Sequence, residues 1–199
     1  MKAEIWIGKA FCTDRWSITA VYLIWAKNCL DNGVHHIFSS SSFSISNNTG
    51  LIKPSSTASL NAVLGLSVAN AEVLMSGSMT ALAGGVNSLG VVLRWSNTSN
   101  YYLAVITRSH LVLQRVVNGS ITTLKSISFP ASPNTSYLIR FNANSTTLSA
   151  KAWQAGTIEP ANWMVRATDS TFSSGQCGIR TYLQRRTTAT ITSFQATQL

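Results

Sequence analysis

Carboxylates are the scarcest reactive groups in this sequence, with only six Asp and Glu in 199 residues. Two of them, Glu159 and Asp169, stand ten residues apart. Glycoside hydrolysis uses a pair of carboxyls about 5 to 9.5 Å apart around the bond to be cleaved. The spacing permits such a pair on a loop and a strand end, but no tight motif holds it. The simpler role for Glu159 is to accept hydrogen bonds that fix the loop before Trp163, and for Asp169 to do the same in its own turn.

Other reactive types are placed no better for catalysis. Cys29, Asp31, His35 and His36 gather within eight residues. Zinc needs ligand pairs on two elements, no second cluster exists, and adjacent histidines on a strand point to opposite faces. Cys12, Cys29 and Cys177 are three scattered thiols, so at least one is free and no disulfide framework is implied. Cys177, in Gly175-Gln-Cys-Gly178, suits the entry to a strand better than a nucleophile's position. No Gly-x-Ser-x-Gly turn occurs, and the glycine-rich Ala83–Gly90 stretch lacks the Lys-Ser/Thr ending of a phosphate loop. No cofactor is expected. Calcium takes six to eight oxygens, usually with carboxylates among them, so a structural calcium here would lean on backbone oxygens.

What remains is recognition chemistry. Aromatics and cations recur from Tyr137 to Tyr182, around Lys151-Ala-Trp153 and Glu159-Pro160-Ala-Asn-Trp163. Aromatic faces pack on the apolar C–H faces of sugars, while Arg, Asn and Gln meet hydroxyls. The net charge of +9 would attract anionic polymers in a salt-dependent way. The arginines form no basic stripe, so no specific nucleic-acid partner is expected. Trp16–Ala26 is apolar, but eleven residues are too few for a helix to cross a bilayer, which takes about 20. Glu4 and Asp14 interrupt the basic leader that a secretion signal would need. Oligomeric state is not legible.

The elements that must position these residues are strands. Charged residues make up 11%, under half the roughly 25% of ordinary soluble domains. Residues 1–40 form an atypical segment ending near Ser39–Ser42. From residue 41 to 199 the text alternates like one β-sandwich domain. Phe43–Ser46, a turn at Asn47–Gly50 and Leu51–Ile52 come first. A meander follows: Val91–Trp95, Tyr101–Thr107, Leu111–Val117 and Ser120–Ile127, with Asn118-Gly119 as a type I′ hairpin turn. Tyr137–Ala143, Thr147–Trp153, Ile179–Leu183 and Ala189–Ala196 complete the set.

Strand phase groups side chains by face. Arg140 opposes Ile139 and Phe141, Lys151 and Trp153 oppose Ala150 and Ala152, Arg94 opposes Leu93 and Trp95, and Arg180 with Tyr182 opposes Ile179 and Leu183. If the strands share a sheet, Arg94, Arg140, Lys151, Trp153, Arg180 and Tyr182 form one solvent-facing patch, with Tyr102 and Trp163 near it.

Gly90-Val-Val-Leu-Arg94-Trp, Asn100-Tyr-Tyr102, Val117-Asn-Gly119, Ala150-Lys-Ala-Trp153, Glu159-Pro-Ala-Asn-Trp163, Thr168-Asp169 and Gly178-Ile-Arg-Thr-Tyr182 together resemble bacterial concanavalin A-like domains of the laminin-G-like jelly-roll type, over residues 43 to 199. The resemblance implies an all-β, two-sheet antiparallel jelly-roll sandwich and an extracellular or cell-surface setting. It also implies a non-catalytic carbohydrate-binding or adhesion module, with a polysaccharide, anionic ones included, as the partner. The same superfold also hosts glycosidases, for which Glu159 and Asp169 would be the acids, and structural spacers. Two departures matter: the final strand reads Phe194-Gln-Ala-Thr without acids, and residues 1–38 match no first strand. Both weaken the case for calcium near the termini.

Overall fold

Alternating segments joined by short polar turns can bury their apolar side chains only by stacking sheet on sheet. The computed structural model describes residues 42–82 and 86–199, and it consists of such a stack. The strands are β1 (Phe43–Ser46), β2 (Thr49–Ile52), β3 (Ala58–Val68), β4 (Ala71–Met79), β5 (Ser88–Asn97), β6 (Asn100–Ile106) and β7 (His110–Val117). They continue with β8 (Ser120–Ser128), β9 (Tyr137–Asn144), β10 (Thr147–Gln154), β11 (Val165–Thr168), β12 (Gly175–Leu183) and β13 (Ala189–Gln198). A seven-stranded sheet runs β1-β2-β13-β4-β9-β10-β11 and a six-stranded sheet runs β3-β12-β5-β6-β7-β8. Every pairing is antiparallel. The all-β, two-sheet antiparallel sandwich expected from the sequence is the fold. The segment 1–40, with its Cys29, Asp31, His35 and His36 cluster and its apolar Trp16–Ala26, lies outside the described residues.

One core fills the space between the sheets. Val73 and Met75 of β4, Ile139 and Phe141 of β9 and Leu148 of β10 meet Leu89 and Val91 of β5, Ala104 and Ile106 of β6 and Leu111 and Leu113 of β7. Full burial of each large aliphatic contributes about 1.5–3 kcal/mol. In β9 the burial alternates strictly, so Leu138, Arg140 and Asn142 face outward. Their cross-strand partners Trp153, Lys151 and Ser149 of β10 do the same.

Two local features set the phase of the six-stranded sheet. The Asn118-Gly119 turn has φ of +50° and +80°, the type I′ geometry that matches the twist of β7 and β8. Arg94 has φ of +51°, and the β5–β6 register breaks between Leu93 and Asn97. This bulge reverses the alternation. Leu93 stays in the core between the sheets, but Trp95, expected on the same face as Leu93, turns to the outer face, where it stacks on Tyr101 at 4.7 Å.

Candidate functional site

The six residues grouped by strand phase do not share a sheet. Arg140, Lys151 and Trp153 belong to the seven-stranded sheet, whereas Arg94, Arg180 and Tyr182 belong to the six-stranded one. The single solvent-facing patch is therefore corrected to two outer faces and one end of the sandwich.

Arg94 and Tyr102 sit at that end, and both are buried. Arg94 is 4% exposed, and its guanidinium donates to three backbone carbonyls: Nε to Ala69 at 2.9 Å, Nη1 to Phe172 at 2.6 Å and Nη2 to Ser145 at 2.6 Å. It ties the β3–β4 turn, the β9–β10 turn and the loop after β11 together. Burial lowers its pKa from the usual arginine value. Tyr102 faces the core and donates its hydroxyl to Asp169 Oδ1 at 2.6 Å. Asp169 also accepts from Thr171 N at 2.9 Å and from Arg115 Nη1 at 2.7 Å. Burial would raise the Asp169 carboxyl, but the bonds from Tyr102 and Thr171 and the Arg115 charge hold it below the ordinary value. Burial and that same carboxylate push Tyr102 up.

The outer face of the seven-stranded sheet carries the densest set of expected residues. Cross-strand register lines up Glu72, Asn142, Ser149 and Arg166 in one row, and Leu74, Arg140 and Lys151 in the next. Arg140 donates through Nη1 to Glu72 Oε1, its Nε lies 2.8 Å from Glu159 Oε1, and its Nη2 donates to Glu159 Oε2 at 3.1 Å. Lys151 Nζ contacts Glu159 Oε1 and the Pro160 carbonyl, each at 2.8 Å, and stands 5.1 Å from the centre of the Trp163 ring. Asn142 Nδ2 donates to Glu72 Oε2 at 3.3 Å, and Arg166 Nε to Ser149 Oγ at 3.2 Å. The loop 155–164 thus folds back onto the face, with Glu159 as its pin. Trp153 is buried, while Trp163, Arg140 and Asn142 keep partial exposure. Burial alone would lower the Arg140 guanidinium, but Glu159 and Glu72 outweigh it and raise its pKa. Burial would raise the Glu159 carboxyl, but Lys151 and Arg140 hold it down.

Glu159 and Asp169 therefore belong to separate networks. Each is kept ionised by cations and donors, whereas a glycosidase acid must retain a proton near working pH. Three described carboxylates, Glu72, Glu159 and Asp169, all have protein partners, and no group of three or more His, Cys, Asp or Glu converges as a metal site among the described residues.

The outer face of the six-stranded sheet holds Arg180 and Tyr182, both partly exposed. Arg180 Nη2 donates to Ser59 Oγ at 2.9 Å, and its guanidinium lies 5.4 Å from the centre of the Tyr101 ring. Glu72, Asn142 and Arg166 on one face, and Tyr101 and Trp95 on the other, are neighbours that the sequence alone does not single out. The signal for Glu72 is that it is the only acid between Asp31 and Glu159.

No protein-family model matches the sequence, and comparison with curated proteins finds no match. Solved structures do match. The carbohydrate binding module CBM66 from Bacillus subtilis superposes with a TM-score of 0.66 at 14% identity, over 83% of this chain and 95% of that one. The GH43 protein BlXynB from Bacillus licheniformis gives 0.61 at 12% identity over 82% of this chain, which spans only 36% of that one. The VIP36 exoplasmic/lumenal domain, in a form bound to Ca2+ and Man3GlcNAc, gives 0.55 at 10% identity over 84% of this chain and 83% of that one. At these identities the likeness is one of fold: a β-sandwich of the concanavalin-like jelly-roll type.

Proposed function

We propose that this chain is a non-catalytic carbohydrate-binding domain of the laminin-G-like kind, working outside the cell. It would hold a polysaccharide on the outer face of the seven-stranded sheet. The observation that carries the proposal is the fixed set of donors and acceptors formed across two adjacent rows by Glu72, Asn142, Arg140 and Lys151, flanked by the partly exposed ring of Trp163. Side chains already locked by mutual bonds lose little freedom when a ligand arrives, and a sugar offers hydroxyls to both signs of partner and a C–H face to the indole.

The ligand best suited to this face is neutral. Arg140 and Lys151 are offset by Glu72 and Glu159, which leaves Arg166 as the one cation of the two rows not paired to a carboxylate. An anionic polysaccharide would draw instead on the overall charge of +9, and its binding would fall steeply with salt. Tyr182 and Arg180 lie on the opposite outer face and cannot touch the same ligand. The test is a polysaccharide retention screen at low and high salt, with analysis of released sugars. Salt-insensitive retention without products is the expected outcome. Release of reducing ends would make the chain a hydrolase, and no retention on any glycan would make it a spacer.

A further inference from the structure

The strand connections share a sequence pattern that the polysaccharide face does not use. Asn-x-Ser/Thr occurs at Asn47-Asn-Thr49, Asn97-Thr-Ser99, Asn118-Gly-Ser120, Asn134-Thr-Ser136 and Asn144-Ser-Thr146. The leading asparagine of every triplet is exposed. By contrast Asn61, Asn70, Asn87, Asn100 and Asn142 are buried or half-buried, and none of them heads such a triplet.

Turn chemistry accounts for the asparagines. Asn47, Asn118 and Asn134 have φ of +48°, +50° and +58°, a region that Asn enters more readily than most residues. It does not account for the hydroxyls two residues on. Among them Thr49 donates Oγ1 to the Ser46 carbonyl at 2.7 Å, whereas the hydroxyls of Ser99, Ser120, Ser136 and Thr146 bond to no described residue. The Asn97 amide accepts through Oδ1 from Ser99 N at 2.9 Å and Asn100 Nδ2 at 3.0 Å, which leaves its own Nδ2 unengaged.

We infer that these asparagines are N-glycosylation sites, whose glycans cover one end of the sandwich and the tips of its open sheet edges. The pattern is the one at which asparagine is glycosylated in secreted chains, and it is confirmed by a surface-turn setting. The inference goes beyond the polysaccharide face and shares with it only the setting outside the cell. In the transfer, Asn Nδ2 attacks the anomeric carbon of an oligosaccharide held on a lipid pyrophosphate. A bond from Nδ2 to that carbon replaces its bond to the phosphate oxygen. The lipid pyrophosphate leaves with the electron pair, and Nδ2 gives one proton to a base of the transferase. Nothing is oxidised or reduced.

Placement says what the glycans do. The β5–β6, β7–β8 and β9–β10 turns, which carry Asn97, Asn118 and Asn144, lie at the end braced by Arg94. Between the first two, Gly119 N donates to Ser99 O at 3.0 Å. Asn134 stands at the other end, where its N–H donates to Met79 O at 2.8 Å. Asn47 tips the hairpin of β1, and Asn118 precedes β8; these two strands are edges of the two sheets. β8 is nine residues long and exposed along almost all of its length, with Ile121 at 56% and Ile127 at 40%. A long open edge with apolar side chains invites pairing with another copy. A bulky hydrated group at the tip of β8 blocks that approach.

The test is peptide mass spectrometry of the full chain purified from the cells that make it. Release with peptide-N-glycosidase in heavy-oxygen water labels each asparagine that carried a glycan and separates it from spontaneous deamidation. Label at all five positions is expected, and an unlabelled Asn97, Asn118 or Asn144 would overturn the inference. Companion variants Ser99→Ala, Ser120→Ala and Thr146→Ala, made in the same cells, remove a hydroxyl and keep the asparagine. Each should fold and lose the glycan at its own site alone, and a retained glycan would also overturn it. In sedimentation, Ser120→Ala should form dimers at concentrations where the glycosylated parent is monomeric. A variant as monomeric as the parent would overturn the shielding of β8. None of these readouts depends on polysaccharide retention.

Discussion

Arg94 is the residue for which a ligand role and a structural role predict opposite results. Replacement by Met keeps much of the side-chain volume and removes the donors to Ala69, Ser145 and Phe172. Each hydrogen bond from a charged donor contributes about 1.5–3 kcal/mol. The acceptors sit in turns where water can partly replace the lost donor, so the low end applies and the sum is roughly 3–5 kcal/mol. For a chain of this size that corresponds to a fall in melting temperature of about 6–20 °C. Urea denaturation followed by tryptophan fluorescence reads the change directly, with glycan retention measured well below the new midpoint. The account requires a large loss of stability and unchanged retention. If Arg94→Met unfolds like the parent but loses the glycan, the guanidinium is a ligand group and the assignment made here is refuted.

Three further outcomes follow from the same geometry. The Asp169 carboxyl is depressed in the folded state, so its contribution is present above the unfolded value of about 3.9 and is lost as pH falls through the folded one; Asp169→Asn should flatten the acid limb of a stability-against-pH curve below about pH 4. A Cβ added at Gly178 would stand 2.3 Å from the Ala62 carbonyl oxygen in the neighbouring strand, so Gly178→Ala should destabilise by about 1–3 kcal/mol in the same urea titration. Burial pushes the Cys177 thiol up to about 12, so in a Cys12→Ser, Cys29→Ser variant an aromatic disulfide reagent should titrate no thiol until denaturant is added.

Much of the sandwich is legible in the sequence because many strands have one apolar and one polar face. β9 and β10 are the clearest cases: the phase that sends Arg140 and Lys151 outward is the phase observed. β4 is not legible in this way. Its inward row, Ala71, Val73, Met75, Gly77 and Met79, includes two small residues, while its outward row includes Leu74, so the contrast between faces is weak. Missing β4 hides Glu72, and with it the partner that fixes Arg140. β6 is apolar on both faces, since one faces the core and the other a second apolar cluster, so alternation cannot tell Tyr101 from Tyr102. The bulge at Arg94 depends on a positive φ at an arginine, which no local sequence pattern announces. Sheet membership is a property of strand order, and periodicity within a strand carries no information about it. For that reason Arg180 and Tyr182, correctly phased as outward, are joined in the sequence-based patch to residues of the other sheet.

The central claim is that one outer face, that of the seven-stranded sheet, binds the sugar. The most direct measurement is calorimetric titration of the polysaccharide retained in the screen against the parent chain and the Trp163→Ala, Asn142→Ala and Tyr182→Ala variants. Loss of an aromatic anchor or of a buried polar contact costs about 1.5–3 kcal/mol, so affinity should fall at least tenfold for Trp163→Ala and Asn142→Ala and stay within twofold for Tyr182→Ala. Unchanged affinity in the first two variants, or a loss confined to Tyr182→Ala, would contradict the account.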